Sequence, residues 1–371
     1  MVRRASPRAT AKLGEAAHPA TNPRASGPGN VCLLDSSVGS VLAITGWMAK
    51  RPGLVPRLAK LTAIAVGAAV VSPERAFAHG DRVSVSRLGS AWEPALIPLV
   101  LAGVALALFA QAFARLRGRG RHDHAPVSRA LLFMLGVAIL TLALVSPLDA
   151  IGEEYLLWVH MSQHVLIGDV APALLVLAVR GPLTFFLLPA PVLRRLARLH
   201  PLRAFLDLLL RPSVSFSCWA AAVGAWHLPA CYDYALAHQW AHDLEHASFI
   251  LVGCLVWAQL VDPARRGALP TLSRRLYYAG ALFLTGHLLV HPILFAAGAV
   301  YRPYREQDER LLGLSPLADQ HLAGLVMTVD QLLTLGTFVL VLLWPGLIRK
   351  RRRRAPAADA HSGSHASRLA G

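Results

Sequence analysis

The sequence has few charged residues and few cysteines, and each shortage argues against a class of protein. Only 16% of its 371 residues are charged, against about 25% in an ordinary soluble domain, while 55% are hydrophobic. The four cysteines form no CxxC or CxxxC pair, so their spacing favours neither a disulfide framework nor a thiolate metal site. A nucleophile triad, a phosphate-binding loop and a nucleotide motif are also missing, so we expect no enzymatic activity.

The net charge of +16 does not point to nucleic acid. The arginines cluster in short segments between apolar blocks, and no basic patch is interleaved with aromatic residues as in nucleic-acid binders. Arginine-rich segments between apolar blocks are typical of cytoplasmic loops. The distribution therefore predicts the lipid bilayer, rather than nucleic acid, as the surroundings of this chain.

The N-terminal region predicts a secretory signal peptide. Residues 1–47 lack periodicity, and we interpret them as a disordered or untranslated extension ahead of a start at Met48. Residues 48–78 then combine a basic segment, an apolar stretch from Leu61 to Val71 and a cleavage site at Ala76-Phe77-Ala78. Cleavage would leave residues 79–92 as an extracytoplasmic N-terminal segment that begins at His79.

Apolar blocks of roughly 20 residues follow, which is the length needed to cross about 30 Å of hydrocarbon. Together they predict an all-α fold, a polytopic membrane bundle of seven transmembrane helices within residues 93–347. The seven blocks are 94–114, 128–147, 153–178, 213–230, 240–261, 273–297 and 318–346. The broken apolar stretch 182–210 is expected to lie along the inner membrane surface, and residues 348–371 form a basic cytoplasmic tail.

Seven spans after a cleaved signal peptide also satisfy the positive-inside rule. With the mature N-terminus outside, every loop whose charges are only basic falls on the cytoplasmic side, and the C-terminus is cytoplasmic. The connection 229–239, which has no Lys or Arg, falls outside. We therefore expect a multi-pass protein of the bacterial plasma membrane.

Histidines concentrate at the outer ends of the predicted helices. Three pairs have i, i+4 spacing, which puts both rings on one helix face. The paired residues are His160 and His164, His242 and His246, and His287 and His291. At 1.5 Å per residue, five of them lie about 9–15 Å below the outer edge, and His242 lies nearer the outer surface. His227 and His321 lie nearer the surface.

Such pairs direct two imidazoles to one point, as in helical zinc motifs, and imidazole suits copper, zinc, iron and nickel. Met161 offers a thioether that would favour Cu(I), although it is equally consistent with packing. His227, His321 and the N-terminal His79 are further candidate copper ligands. The alternative is that each histidine is a hydrogen-bonded strut between helices.

Several acidic residues are candidates to orient these imidazoles. Asp169 and Asp330 lie deep in their helices, so we expect each to have a polar partner. Asp243 and Glu245 are equally consistent with surface solvation or helix capping. Asp319 belongs to the same group of candidates.

The chain resembles the multi-spanning CtaG-type cytochrome c oxidase assembly factors over about residues 93–346. The resemblance rests on five blocks that occur in order. They are Trp158-Val159-His160-Met161-Ser162-Gln163-His164 with Ala171-Pro172 downstream, Trp226-His227-Leu228-Pro229, His242-Asp243-Leu244-Glu245-His246, Gly286-His287, and Asp319-Gln320-His321-Leu322-Ala323-Gly324. The single-anchor family that shares the CtaG name uses a cysteine-based copper site, which this chain lacks.

The resemblance implies seven spans and a role in maturing the copper centre of cytochrome c oxidase, with oxidase subunits as partners. Two alternatives remain open. A membrane electron carrier would hold haem between two histidines, such as His160 with His246 or His291. A copper transporter would show polar residues continuing to the cytoplasmic side, whereas the inner halves of these helices are mostly apolar.

Overall fold

The computed structural model describes residues 84–92 and 95–354, with side chains as far as residue 344. Every regular element in this part of the chain is helical, which confirms the predicted all-α class. The predicted extension 1–47, the signal peptide 48–78 and His79 lie outside the described residues.

The long helices follow the predicted apolar blocks closely. They are α1 (Leu96–Gly118), α2 (Val127–Val145), α4 (Leu157–Val165) continuing through a π turn (Leu166–Val170) into α5 (Ala171–Ala178), α9 (Pro212–Trp226), α11 (Gln239–Val261), α12 (Leu272–Phe295) and α14 (Pro316–Arg354). Shorter helices connect them: α3 (Leu148–Glu154), α6 (Pro182–Phe186), α7 (Ala190–Arg198), α8 (His200–Leu209), α10 (Pro229–Ala237) and α13 (Arg302–Arg305). Three single 3-10 turns complete the described chain: Val85–Ser90, His122–His124 and Leu311–Gly313.

Six of these helical segments are long and apolar enough to cross a membrane. Their outward faces carry large apolar side chains such as Leu288 and Phe295, which are 64% and 70% exposed, as expected of surfaces that meet lipid. Helix α9 is too short to qualify alone, and it forms a pair with α8 bent by 74°. The chain is therefore a multi-pass helical membrane protein, and the residues that the structure describes contain six candidate spans plus this bent pair.

The third span is interrupted by a π turn just after the first histidine pair. Pro172 has no amide hydrogen and its ring excludes the carbonyl four residues earlier, at Gly168, so the regular α ladder cannot continue there. The chain widens over Leu166–Val170 instead. Such π turns are frequent at functional sites, and this one carries Asp169.

The π turn packs directly against α11. A Cβ atom added to Gly253 of α11 would collide with the carbonyl oxygen of Gly168, so the two backbones touch at this point. The contact holds α4 and α11 side by side. These are the helices that carry the histidine pairs at 160/164 and 242/246.

Candidate metal centre

Four buried histidines from two helices meet inside the bundle. His160 and His164 extend from α4, and His242 and His246 extend from α11. One ring nitrogen from each lies within 4.8 Å of all the others. No residue of this histidine cluster is more than 6% exposed. The i, i+4 spacing on two adjacent helices is what directs all four rings to one point.

The histidine cluster has two layers. In the first layer the Nε2 atoms of His160 and His242 are 3.3 Å apart. In the second layer the rings of His164 and His246 have centroids 5.3 Å apart. Along each helix the rings of the two layers are closer, with centroids 4.3 Å apart on α4 and 4.0 Å apart on α11.

Two tyrosines fix the orientation of the His160 ring. Its Nδ1 atom lies 2.9 Å from the hydroxyl of Tyr232 and 3.0 Å from that of Tyr304. Tyr304 donates its own proton to the carbonyl of Gly152 at 2.7 Å. Burial raises the pKa of both tyrosines well above the ordinary value, so both hydroxyls stay protonated. Tyr232 has one proton, which it can donate either to Tyr304 or to Nδ1 of His160; when it donates to Tyr304, His160 Nδ1–H is the donor and its Nε2 is an acceptor.

The ring of His242 is oriented by Glu153, which lies in α3. Nδ1 of His242 is 2.8 Å from Oε1 of Glu153, so Nδ1–H donates to the carboxylate. In the neutral imidazole the Nε2 atom is then also an acceptor. When Nε2 of His160 carries the hydrogen, it donates to Nε2 of His242 across 3.3 Å; in the other tautomer two acceptors face each other there, and a cation between them would make the contact attractive.

The second layer contains buried polar atoms that have no hydrogen-bond partner. They include both ring nitrogens of His164, Nε2 of His246 and both carboxylate oxygens of Glu245. Glu245 is 1% exposed, and its Oε1 is 3.7 Å from Nε2 of His164. Leaving buried polar groups unpaired is costly, and a carboxylate is the most expensive case. This arrangement fits a cation held among the imidazoles.

Asp319 caps the helix that presents His160 and His164. Its Oδ2 and Oδ1 atoms accept the backbone amides of Leu157 and Trp158, at 2.8 and 3.0 Å. Both amides belong to the first turn of α4, where no intrahelical acceptor exists. Asp319 thus positions the helix backbone and touches no imidazole.

The remaining histidine candidates lie outside the histidine cluster. His291 is exposed, and its Nδ1 bonds the carbonyl of His287. His287 bonds Gln331 at 2.9 Å, and His321 bonds the carbonyl of Ala296 at 3.3 Å. All three make hydrogen bonds within or between helices, as the structural alternative to metal binding predicts.

Met161 and His227 also lie apart from the four rings. Met161 is fully buried in an apolar cluster that includes Leu157 and Tyr232. Nδ1 of His227 bonds the carbonyl of Val223 at 2.7 Å, so its buried Nε2, which has no partner, is an acceptor.

Among the acidic candidates, the expectation of polar partners for the deep aspartates is confirmed. Asp169 accepts hydrogen bonds from Trp257 and from Thr334, and its carboxyl group lies within hydrogen-bonding reach of that of Asp330. Glu245 is buried beside the imidazoles, whereas the exposed Asp243 bonds only Gln239, at 3.1 Å. Helical spacing does not separate the two, because position 245 lies three residues after His242 and position 243 three residues before His246; the packing of α11 in the bundle decides which of them is buried.

A cavity of about 100 Å³ adjoins the second layer of the histidine cluster. His164 lines one part of it, and Asp169, His227, Asp330 and Gln331 line others. The rest of the wall is mainly apolar, with side chains from α9, α11, α12 and α14. Polar groups therefore continue deeper into the bundle than the histidines.

Sequence analysis did not identify Glu153, Tyr232 or Tyr304 as parts of the site. Glu153 is the first residue of the predicted third block, Tyr232 follows the Trp226-His227-Leu228-Pro229 block by three residues, and Tyr304 is thirteen residues from the nearest histidine, His291. Their contacts with the imidazoles depend on how α3, α10 and α13 fold back over the bundle, which no local pattern encodes.

Fold and site together define a multi-pass helical membrane protein with a buried histidine cluster. The family model described as cytochrome c oxidase caa3 assembly factor (Caa3_CtaG) matches residues 107–347, which include all four clustered histidines. The chain belongs to this family, as its sequence motifs predicted. Comparison with curated proteins and with solved structures gave no match.

Proposed function

We propose that this oxidase assembly factor binds Cu(I) as cargo in the histidine cluster and assists copper-centre maturation in cytochrome c oxidase. The observation that carries the proposal is the convergence of four buried imidazoles, with one ring nitrogen of each within 4.8 Å of the others, beside the carboxyl group of Glu245, which has no hydrogen-bond partner. Four neutral imidazoles suit a copper ion, and the buried carboxylate supplies compensating charge.

The ligand set proposed here is smaller than the one expected from the sequence. His160, His164, His242 and His246 are the ligands in this proposal, because among the histidines that the structure describes only these four converge. The hydrogen bonds of His287, His291 and His321 favour structural roles, and the packing of Met161 does the same. His79 remains a candidate ligand at the mature N-terminus.

For topology we propose seven spans in the bacterial plasma membrane, with α9 as the short fourth span. In this arrangement the signal peptide is cleaved, residues 79–92 lie outside and the tail 348–371 is cytoplasmic. The basic residues Arg265 and Arg266 then lie on the inner side, as the positive-inside rule requires. The histidine cluster lies toward the outer side, where oxidase subunits are the proposed recipients of copper. The role is that of a binding protein rather than an enzyme.

The packing of the rings argues against the haem alternative. The centroids of His160 and His246 are 6.2 Å apart, but His164 and His242 contact both rings. The space that a haem would need between its two axial ligands is therefore already occupied by the imidazole rings of His164 and His242. His291 is exposed and on another helix, which removes the second haem pairing.

One observation favours the transporter as a second candidate. The polar lining continues inward from His164 to Asp169 and Asp330, further than the apolar inner halves of the helices suggested. Uptake of Cu(I) into sealed vesicles that contain the purified protein would favour transport. Binding without uptake would favour the assembly role.

The decisive test is Cu(I) binding to detergent-purified protein under anaerobic, reducing conditions, in competition with a chromophoric Cu(I) chelator. The parent is expected to bind one ion. His160→Ala and His242→Ala are expected to lose more than about tenfold in affinity, since even residues behind the ligands commonly cost 10- to 100-fold. His291→Ala is the matched control and is expected to bind like the parent.

Equal binding by all these proteins, or no binding by the parent, would contradict the proposal. Oxidase copper content in cells that express each variant is the second readout. It is expected to fall with His160→Ala and His242→Ala, and to be unchanged with His291→Ala.

A further inference from the structure

Two carboxyl groups meet inside the bundle, away from the histidine cluster. Asp169 of the π turn and Asp330 of α14 line the same cavity, and their carboxyl groups lie within hydrogen-bonding reach of each other. Asp169 also accepts the hydroxyl of Thr334 at 2.7 Å and the indole N–H of Trp257. A hydrogen bond between two carboxyl groups needs a proton, because two carboxylates in contact repel each other.

The surroundings of the aspartate pair contain no fixed countercharge. Around the cavity, none of the described lining residues is Lys or Arg, and the ionisable ones are His164, His227, Asp169 and Asp330. A paired acid that lacks a basic partner in a membrane interior is neutralised by binding a proton or a cation. The contact between the two carboxyl groups is the arrangement that a shared proton produces.

The cavity joins the aspartate pair to the histidine cluster. At one part of its wall lies His164, which is 6% exposed and has no partner for either ring nitrogen. Nε2 of His227, also without a partner, is a second acceptor in the lining residues. A volume of about 100 Å³ with these polar groups has room for several hydrogen-bonded water molecules. Such water would carry a proton between the aspartates and the inner layer of histidines.

We propose that Asp169 and Asp330 form a proton-binding site that compensates charge for the histidine cluster. At rest the two carboxyl groups share one proton. When a monovalent metal ion enters the four imidazoles, that proton leaves the carboxyl oxygen for bulk water by way of the cavity, so that one positive charge replaces another. The proton site stands on the aspartate geometry alone, whereas its exchange against a metal ion rests on the proposed function.

The proton site is tested on metal-free protein by infrared spectroscopy. The parent is expected to show the C=O stretch of a protonated carboxylic acid, and Asp169→Asn/Asp330→Asn is expected to lose it. The single variants serve as a second measurement if the double variant does not fold, and at least one of them must shift or remove the band. Asp243→Asn, an exposed acid of α11, is the control and keeps it. A band that is unchanged in the double variant would overturn the proposal.

The exchange of a proton for a metal ion is tested by titrating the protein with Ag(I), a redox-inert soft monovalent ion, in weakly buffered detergent solution. The number of protons released per bound ion is measured. The double variant is expected to release one proton fewer per bound ion than the parent. Equal release by the two proteins would overturn the exchange. If the parent binds no Ag(I) and no Cu(I), the metal-binding function fails, but the infrared result still decides the proton site.

Discussion

Oδ2 of Asp319 accepts the backbone amide of Leu157 at 2.8 Å, which ties the first turn of the last span to the first turn of the helix that carries His160 and His164. The two residues are 162 positions apart in the sequence. The bond therefore works as a helix cap supplied by a distant segment. It couples the position of α4 to that of α14.

Replacing this cap is expected to destabilise the protein. Asp319→Ala removes the acceptor of two amides, and losing a capping side chain typically costs about 0.5–2 kcal/mol. The midpoint of thermal unfolding in detergent is expected to fall, and Cu(I) affinity is expected to fall with it. Asp308→Ala, at an exposed acid eleven residues before Asp319, is the control. An unchanged midpoint in Asp319→Ala would show that the cap does not stabilise the bundle.

Glu245→Gln is expected to weaken metal binding without unfolding the bundle. The substitution keeps the shape of the side chain but removes the negative charge 3.7 Å from His164. We expect Cu(I) affinity to fall by about 10- to 100-fold, as for other groups that support metal ligands. Chelator competition measures the change, with Asp243→Asn on the same helix as the exposed control. A Glu245→Gln protein with the parent's affinity would rule out charge compensation by this carboxylate.

Tyr304→Phe is expected to loosen the orientation of the His160 ring. The hydroxyl contacts His160, Tyr232 and the carbonyl of Gly152, so its removal leaves buried groups unpaired. A loss of about 1–3 kcal/mol in unfolding free energy follows from the unpaired groups. We also expect a smaller loss of Cu(I) affinity than in His160→Ala. Tyr234→Phe, where the tyrosine is exposed, should leave both measurements unchanged. The orienting role fails if Tyr304→Phe matches that control.

The short helix α9 is expected to cross the membrane. Single cysteines introduced as Arg203→Cys in α8 and Gln239→Cys at the start of α11 test this, because both positions are exposed. A membrane-impermeant maleimide is expected to label position 239 in intact cells and position 203 only after the cells are opened. The native cysteines, including Cys231 in the adjoining α10, are first replaced by serine. Labelling of both positions from the same side would mean that α9 does not span.

The sequence predicted the helical class and most helix positions because the hydrocarbon core imposes a length and an apolar composition that a single chain displays directly. It also singled out His160, His164, His242 and His246, since i, i+4 spacing defines a helix face. It did not separate these four from His287 and His291, which have the same spacing. The rotation of α12 about its own axis decides that question, and helix packing sets this rotation.

The contacts that complete the site were less accessible to sequence reasoning. Glu153, Tyr232 and Tyr304 lie on short connecting helices, and their approach to the imidazoles depends on long-range folding of the connections. The third span was predicted to begin at 153. In the structure α3 ends at Glu154 and α4 begins at Leu157, with a non-helical connection between them. The change of chain direction at this connection places the side chain of Glu153 against His242. Asp169 and Asp330 could be recognised as polar groups needing partners, but the sequence did not reveal that they are partners of each other.

The backbone contact of Gly253 with Gly168 has a consequence for motion. At that level no side chain separates α11 from the third span, so the two helices are pinned together there. Two to three turns further along α11 towards its N-terminus, polar contacts between side chains link the two segments. A small rotation about the glycine contact would therefore move the histidine-bearing ends of the two helices apart. The spacing of the imidazoles would widen, while the contact between Gly253 and Gly168 stays in place. A tilt of α4, together with the helix α14 that is bonded to it, against α11 would then release a bound ion towards a docking partner without unfolding any of these helices.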